Sequence, residues 1–152
     1  TLIPCNIYGK YDSFKEEDAH LVPSIIRKIH EAKVKGINQI EIWGSGKARR
    51  EFMYAEDLAD AIWFCLENIN KLPHSINIGL GYDYTILEYY ENIAEILKYK
   101  GNFKINLNKP EGMHQKIVAI DIISKLGWKH KTEFKRGIES TYKYYKSRLI
   151  NE

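Results

Sequence analysis

The sequence has little cysteine: Cys5 and Cys65 are the only two among 152 residues. Two cysteines sixty positions apart give no disulfide framework of the kind that stabilises small secreted domains. They also give no closely spaced pair of metal ligands. The fold is therefore expected to depend on an apolar core, and no metal site is predicted.

A strong charge excess and long apolar runs are lacking as well. The net charge is +3, whereas nucleic-acid-binding domains usually concentrate a larger basic excess on one face. No apolar stretch approaches the roughly 20 residues that cross a bilayer, and none has the pattern of a secretory signal. The sequence predicts a cytoplasmic globular protein whose partners include neither nucleic acid nor membrane.

A glycine-rich phosphate loop is also missing. No Gly-x-x-Gly-x-x-Gly follows a predicted strand, so the sequence contains no dinucleotide fingerprint. A Tyr-x-x-x-Lys pair, Tyr142 and Lys146, lies in a terminal helix rich in tyrosine. A solvated helix face explains that pair better than a catalytic role does.

Strands and helices alternate along the chain, which is the pattern of an α/β protein. Thr85-Ile-Leu-Glu88 matches a helix capping box, and Gly36 predicts a helix end. Five strands are predicted, over residues 2–8, 40–43, 51–54, 75–78 and 103–107. Five helices are predicted, over residues 20–35, 55–69, 85–99, 121–126 and 134–149. In the second helix one apolar face is predicted, formed by Leu58, Ala61, Ile62, Cys65 and Leu66.

Residues 43–52, Trp-Gly-Ser-Gly-Lys-Ala-Arg-Arg-Glu-Phe, form the most informative segment. Gly44 and Gly46 allow positive φ and a close approach of the backbone to a ligand. Arg49 and Arg50 add planar guanidinium groups that suit phosphate or carboxylate. Taken alone, the segment fits a solvated hairpin better than an anion site.

Four other segments accompany this turn and favour a functional role for it. They are Pro4-Cys-Asn-Ile-Tyr-Gly9, Ala19 to Lys28, Ile76-Asn-Ile-Gly79, and Lys109-Pro-Glu-Gly112 with Lys116. In this order they resemble the C-terminal half of the GDP-L-fucose synthases, a family of extended short-chain dehydrogenase/reductases. The Asn-x-Tyr-Gly and Arg-Glu-Phe pieces are shared by many nucleotide-sugar enzymes. The His20 segment, the Trp43 turn and the Lys-Pro-Glu-Gly segment narrow the resemblance to the fucose-synthase branch.

The resemblance, which runs from about Pro4 to Tyr145, implies a domain organisation. Residues 1–152 would form a single α/β substrate-binding domain, the C-terminal portion of an enzyme whose N-terminal Rossmann half is absent from this sequence. Residues 1–9 would end a strand of that half. The absent half would hold most of the NADP and the tyrosine, lysine and serine needed for reduction, so this segment alone is expected to be inactive. In the family, the full-length enzyme forms a homodimer through helices of that half.

His20 is the residue to which the resemblance assigns proton transfer. A histidine suits a general acid because its ordinary pKa of about 6.5 lies near working pH. From the sequence alone, a surface histidine with no role is the more frequent outcome, but the family places its general acid at this position. Asn6 and Ile7 match positions that line the nicotinamide and substrate cleft, so they are the expected cofactor contacts.

Substrate contacts are implied at five positions. Three are cations that would converge on one diphosphate, and two are apolar or aromatic: Lys28, Arg50, Lys116, Leu21 and Trp43. The sequence also departs from the family pattern. Lys28 stands where arginine is common, Met113-His114-Gln115 replaces Thr-Pro-Arg, and Ala119 replaces an aspartate. These departures surround the expected nucleotide-sugar pocket, so they leave the identity of the sugar open.

The implied activity is that of an NADPH-dependent epimerase/reductase. The family converts GDP-4-keto-6-deoxy-mannose to GDP-L-fucose by epimerising C3 and C5 and reducing C4. Other interpretations are a reductase/epimerase of another GDP-sugar, such as a 6-deoxy-heptose, and a UDP-sugar epimerase or dehydratase. Two interpretations without catalysis are a stand-alone nucleotide-sugar binding module and a partner-binding domain that uses its tyrosines.

Overall fold

Short strands and helices alternate along residues 1–150, the part of the chain that this computed structural model describes. The strands are β1 Leu2–Pro4, β2 Asn6–Tyr8, β3 Gln39–Trp43, β4 Arg49–Arg50, β5 Phe52–Tyr54, β6 Ile76–Ile78, β7 Tyr84–Thr85, β8 Asn102–Asn106 and β9 Gln115–Lys116. The helices are α1 Leu21–Lys35, α2 Ala55–Glu67, α3 Ile86–Leu97, α4 Asp121–Lys125 and α5 Phe134–Ile150, and a 3-10 turn covers Ile69–Lys71. The α/β prediction is confirmed.

The predicted helix ends are present where local chemistry specifies them. Gly36 adopts φ +67° and ends α1. Thr85 begins α3, since its Oγ1 accepts a hydrogen bond of 3.1 Å from the Glu88 N–H. The Glu88 carboxylate in turn accepts a bond of 2.6 Å from the Thr85 N–H. Both orphan N–H groups are satisfied by side chains, so this helix start is fixed by its own sequence.

Strand pairing differs from the expected hairpin at the glycine turn. The strands β3 and β5 flank the turn but do not pair with each other: β3 pairs in parallel with β8, and β5 with β2. Between them, β4 lies in a separate three-stranded sheet, antiparallel to β7 and parallel to β9. The predicted strand over 2–8 is two strands, because β1 pairs with β6 and the chain changes partner at Cys5, whose N–H donates to Ile78 O at 2.8 Å.

Two apolar clusters form the interior. The larger one lies among α1, α3 and α5 and includes Ile25, Ile29, Tyr89, Ile93 and Ile138. The smaller one lies between the β1–β6 pair and the helices α2 and α4, and contains Cys5, Met53, Ala61, Cys65, Ile76, Ile78, Ile123 and Trp128. Most of the residues singled out by the sequence lie in the strands and in α1, and His20 is the residue just before α1.

The apolar face predicted for α2 is only partly buried. Ala61 and Cys65 are buried, but the side chains of Ile62 and Leu66 remain 41% and 58% exposed. The reason is geometric: the described residues cover one side of the helix, whereas the apolar stripe is wider. Ile62, Trp63, Leu66 and Ile69 are all exposed and together form what we call the α2 patch. Among residues 1–150, no helix combines the length and apolarity that a membrane crossing requires.

Candidate functional site

Two cavities are each lined in part by the start of α1. The first, about 310 Å³, is the His20 cavity; it is lined by Ile7, Tyr8, Gly9, Lys10, Tyr11, Asp12, His20, Tyr54, Ala55 and Glu56. The second, about 380 Å³, is the Trp43 cavity; it is lined by Glu16, Ala19, Leu21, Ser24, Arg27, Lys28, Ile42, Trp43, Ala48, Arg50, Ile86, Tyr90, Pro110, Glu111 and Gly112. Six of the eight predicted site residues line one of these two cavities.

His20 is the N-cap residue of α1, in extended backbone conformation, with φ −64° and ψ 170°. Its side chain is 73% exposed and lies beside Asp12, with 3.2 Å between His20 Nδ1 and Asp12 Oδ1. Ile7, half-buried in β2, lies on the wall of the same cavity. The predicted proton donor and one predicted cofactor contact therefore share one cavity.

Arg50, which lines the Trp43 cavity, is held by backbone carbonyls. Its Nη1 donates to the backbone oxygens of Arg49 and Met113, at 2.7 Å each. Gly112 lies against the guanidinium: a Cβ built on that glycine would be 3.1 Å from Arg50 Nη2. Since only Nη1 is used by these carbonyls, the remaining N–H groups keep capacity for an anion.

Two lysines lie near the indole of Trp43. The Nζ atoms of Lys28 and Lys109 lie 5.4 Å and 5.0 Å from the centroid of the indole, a distance at which cation–π attraction operates. The indole is 57% exposed at the mouth of the cavity. An exposed aromatic face with two cations beside it can stack a base and attract the phosphates attached to it.

Lys28 is partly desolvated in this cavity. Burial lowers its pKa, and the neighbouring Arg27 guanidinium lowers it further. Its ammonium is 3.5 Å from the Tyr90 hydroxyl. Because this ammonium is already partly removed from water, it loses little further hydration when it binds an anion. The position therefore favours an ion pair with an anionic ligand.

The Lys109–Gly112 segment is attached to the glycine turn. Ser45 Oγ donates to Glu111 Oε1 at 2.5 Å. Gly44 has φ +72°, and a Cβ at that position would lie 3.2 Å from the Cβ of Glu111. A side chain at residue 44 would therefore be both strained and crowded, and this explains the glycine in the turn. The attachment closes one wall of the Trp43 cavity.

The two adjacent arginines have different roles. Arg49 Nε donates to Asp83 Oδ1 at 2.7 Å, its Nη2 donates to the Asp83 backbone oxygen at 3.0 Å, and the Asp83 side chain is almost fully buried. This pair joins β4 to the segment before β7. Arg49 is thus a structural residue, while Arg50 lines the cavity.

Asn6 and Lys116 are outside the linings of both cavities, as far as residues 1–150 define them. The Asn6 side chain donates to the Glu51 backbone oxygen at 2.8 Å and so joins β2 to the end of β4. Lys116 is exposed and is the register partner of Arg50 in the parallel β4–β9 pair. Parallel register partners lie side by side, so Lys116 continues the cationic surface that begins at Arg50.

Cys5 is unsuited to acid–base work. Burial, together with the nearby Glu51 carboxylate, raises the pKa of the Cys5 thiol to about 12. At neutral pH the group is a thiol, and it packs in the smaller apolar cluster.

Several contributors to the site were missed by the sequence interpretation: Asp12, Ser45, Tyr90 and Glu111. Asp12 stands in a polar loop with several other charged residues, and nothing in that loop's pattern distinguishes it. Ser45 and Glu111 lie 66 positions apart in the sequence, and only the fold brings them together. Long-range side-chain pairs of this kind carry no periodic signal.

Comparisons with known proteins found relatives in sequence and in structure. A model of the NAD dependent epimerase/dehydratase family matches residues 1–79. Over 152 residues, all of this chain, it is 49% identical to the GDP-L-colitose synthase of Yersinia pseudotuberculosis, of which it covers 49%. Over 145 residues, 95% of this chain, it is 45% identical to the GDP-L-fucose synthase of Azorhizobium caulinodans, of which it covers 46%.

A solved structure is similar in fold. The GDP-mannoheptose C4 reductase from Campylobacter jejuni with NADP bound matches with a TM-score of 0.83 at 30% identity, over 95% of this chain and 52% of that one. The resemblance inferred from the sequence motifs is confirmed. The chain spans about half the length of the curated relatives it matches.

Proposed function

Because this chain belongs to the NAD dependent epimerase/dehydratase family, we propose that it is the substrate-binding half of a GDP-sugar epimerase/reductase. The observation that carries the proposal is the pair of cavities at the start of α1. One is lined by an exposed indole, a lysine and a fixed arginine, with a second lysine near the indole, and the other is lined by a histidine. The first suits a nucleoside diphosphate and the second suits proton transfer.

In this proposal the guanine base stacks on Trp43, and the diphosphate is bound by Lys28 and Arg50. Each charge-assisted hydrogen bond of this type contributes about 1.5–3 kcal/mol. Lys116, beside Arg50 in the β4–β9 pair, adds positive potential to the same side of the cavity. Leu21, at the start of α1, gives the sugar an apolar surface.

His20 would then act on the sugar. Protons next to a ketone are acidic enough for a base to remove, and protonation from the opposite face inverts the carbon. His20 supplies that second proton, while the base belongs to the preceding half of the protein.

The cofactor in this proposal is NADP. Residues of this chain fit only its nicotinamide end, where Ile7 contributes an apolar wall and Asn6 steadies the strand that carries it. Residues 1–150 contain no glycine-rich phosphate loop, so the phosphates of the cofactor would be held by the preceding half. NADPH, when bound, supplies hydride to C4.

The preceding half would also complete the fold. The β1–β6 pair and the α2 patch form an incomplete layer, which a longer parallel sheet with its helices would cover. We assign residues 1–9 to the end of a strand of that half and the following residues to the substrate domain. A homodimer formed through the preceding half, and a cytoplasmic location, belong to the same proposal.

For the substrate, the proposal is GDP-4-keto-6-deoxy-mannose, with GDP-L-fucose as product. A second candidate is the substrate of a GDP-L-colitose synthase, which the 49% identity to such an enzyme favours. GDP-heptoses are a third group, because the departures at Lys28 and at residues 113–115 surround the Trp43 cavity.

The proposal is tested on the protein as its gene encodes it. GDP-4-keto-6-deoxy-mannose and NADPH are supplied, NADPH oxidation is followed, and the product is identified by NMR. GDP-L-fucose is the expected product, and the His20→Gln variant should lose epimerisation while it still binds the substrate. Binding of the GDP-sugar without any NADPH oxidation would indicate a binding module, and equal affinity for UDP and GDP would contradict the choice of nucleotide.

A further inference from the structure

The contact between His20 and Asp12 joins two residues of opposite exposure. The His20 side chain is 73% exposed, whereas that of Asp12 is 14% exposed, and His20 Nδ1 lies 3.2 Å from Asp12 Oδ1. Both side chains line the His20 cavity. A well-packed acceptor is thus in contact with a side chain that is otherwise open to solvent.

Asp12 is held in place by its own loop. Its Oδ1 also accepts a hydrogen bond of 2.9 Å from the Ser13 N–H. Its backbone N–H donates to Gly9 O, at the end of β2, at 3.4 Å. These bonds therefore fix the position of the carboxylate relative to β2, the strand that carries Ile7. Ile7 lines the same cavity.

His20 has little else to fix it. Within the described part of the chain, its side chain makes no capping hydrogen bond to α1, which it precedes. Lys10, which also lines the cavity, is paired with Glu56 at 2.8 Å rather than with Asp12. The Asp12 carboxylate is therefore available to accept a hydrogen bond from His20.

We propose that Asp12 is a positioning residue for His20: it accepts the Nδ1–H, which fixes the ring and leaves Nε2 facing the sugar. The protonated ring gives its Nε2 proton to the sugar carbon and becomes the neutral Nδ1–H tautomer, still bonded to Asp12. The hydrogen bond made by one ring nitrogen selects the tautomer and orientation of the other. An imidazole held in one orientation before reaction needs no ordering in the transition state. The catalytic part of this inference rests on the proposed function, while the pairing itself does not.

The pairing predicts a spectroscopic signature. In the neutral ring of His20, ¹⁵N NMR of the protein as encoded should detect the Nδ1–H tautomer, with His20→Gln used to assign the signal. The Asp12→Ala variant should lose this preference. The matched control is Asp18→Ala, which removes an exposed carboxylate from the same loop and should leave the His20 signal unchanged. A wild-type ring in the Nε2–H tautomer overturns the proposal, whether or not the protein is active.

Loss of the Asp12 carboxylate should slow epimerisation but not substrate binding or hydride transfer. Deuterium uptake from solvent at the epimerised carbons should fall about tenfold to a hundredfold in Asp12→Ala, the cost expected when a catalytic group is misplaced by about 1 Å. Affinity for the GDP-sugar should stay within about twofold, since the Trp43 cavity is untouched. Hydride transfer to an already epimerised substrate should be unchanged.

The Asp12→Asn variant distinguishes the positioning of His20 from an effect of Asp12 on the structure of its own loop. The amide oxygen keeps an acceptor for the Ser13 N–H and a weaker one for His20, so this variant should have intermediate exchange. Wild-type exchange in Asp12→Ala, or equal losses of binding and exchange in both variants, would overturn the positioning role. Absence of any exchange in the wild-type protein would contradict the proposed function instead.

Discussion

His20 and Leu21 are consecutive residues, yet they line different cavities. His20 belongs to the cavity that contains Asp12 and Ile7, and Leu21 to the cavity that contains Trp43 and Arg50. The start of α1 therefore contributes to the lining of both. In the proposed function, a GDP-sugar places its diphosphate in the Trp43 cavity and its reacting carbon in the His20 cavity.

Replacing Arg50 by alanine should weaken the binding of GDP-sugar roughly tenfold to a hundredfold, since it removes charge-assisted hydrogen bonds contributing about 1.5–3 kcal/mol. Isothermal titration calorimetry on the protein as encoded measures this change. Lys47→Ala is the matched control, because Lys47 is an exposed cation of the same glycine turn and lies outside the Trp43 cavity lining. Equal affinity of wild type and Arg50→Ala would remove Arg50 from the diphosphate site.

The fluorescence of Trp43 should change when the guanine base binds. Because its indole is exposed and lies near Lys28 and Lys109, guanine is expected to stack on it and quench the intrinsic fluorescence. The Trp43→Phe variant should lose the GDP-dependent quenching. The Trp63→Phe variant should keep it, since Trp63 is an exposed tryptophan of the α2 patch, away from the cavity. Quenching that persists in Trp43→Phe would place the base elsewhere.

The helices could be predicted from the sequence because their signals are local. Thr85 and Glu88 are three positions apart and specify the start of α3 by themselves. Gly36 ends α1 because it can adopt positive φ. Strand pairing could not be predicted in the same way. The two strands beside the glycine turn find their partners in β8 and β2, and parallel pairs depend on contacts far along the chain.

The site was predictable only in part, for a related reason. The family motifs led to His20, Lys28, Trp43 and Arg50, which line the two cavities. The motifs also favoured Arg50 over Arg49, but the ion pair that holds Arg49 could not be predicted, since its partner Asp83 is 34 positions away. The burial of the apolar face of α2 was overestimated. Periodicity predicts which apolar residues share a face of the helix, but not whether another element covers that face.

The affinity for the diphosphate should depend on the protonation of Lys28. Burial and Arg27 lower its pKa below the ordinary value of 10.5, so its proton is lost at a lower pH than that of an exposed lysine. The positive charge disappears as pH rises through this lowered pKa, and affinity falls with it. Lys28→Arg is the control, because arginine stays protonated throughout this range. Guanine also loses a proton in alkali, so the quantity to compare is the ratio of the two affinities between about pH 8 and pH 10. A constant ratio would exclude Lys28 from the diphosphate site.

Glu51 should be important for stability. Its side chain is fully buried, and its carboxylate accepts hydrogen bonds from the N–H groups of Leu80, Gly81 and Val118. Replacement by glutamine substitutes an amide donor for one acceptor oxygen, so at least one buried N–H loses its partner. The expected cost is about 1–3 kcal/mol, visible as a fall in Tm of several degrees.

The matched control for this substitution is Glu91→Gln, which changes an exposed carboxylate on α3 and should alter stability by less than about 0.5 kcal/mol. Thermal unfolding of both variants and of the wild type measures the difference. Because Val118 lies two residues after Lys116, where β9 ends, the Glu51→Gln protein should also bind GDP-sugar more weakly, as the strand beside Arg50 loses its anchor. An unchanged Tm in Glu51→Gln would mean that the three N–H groups find other acceptors.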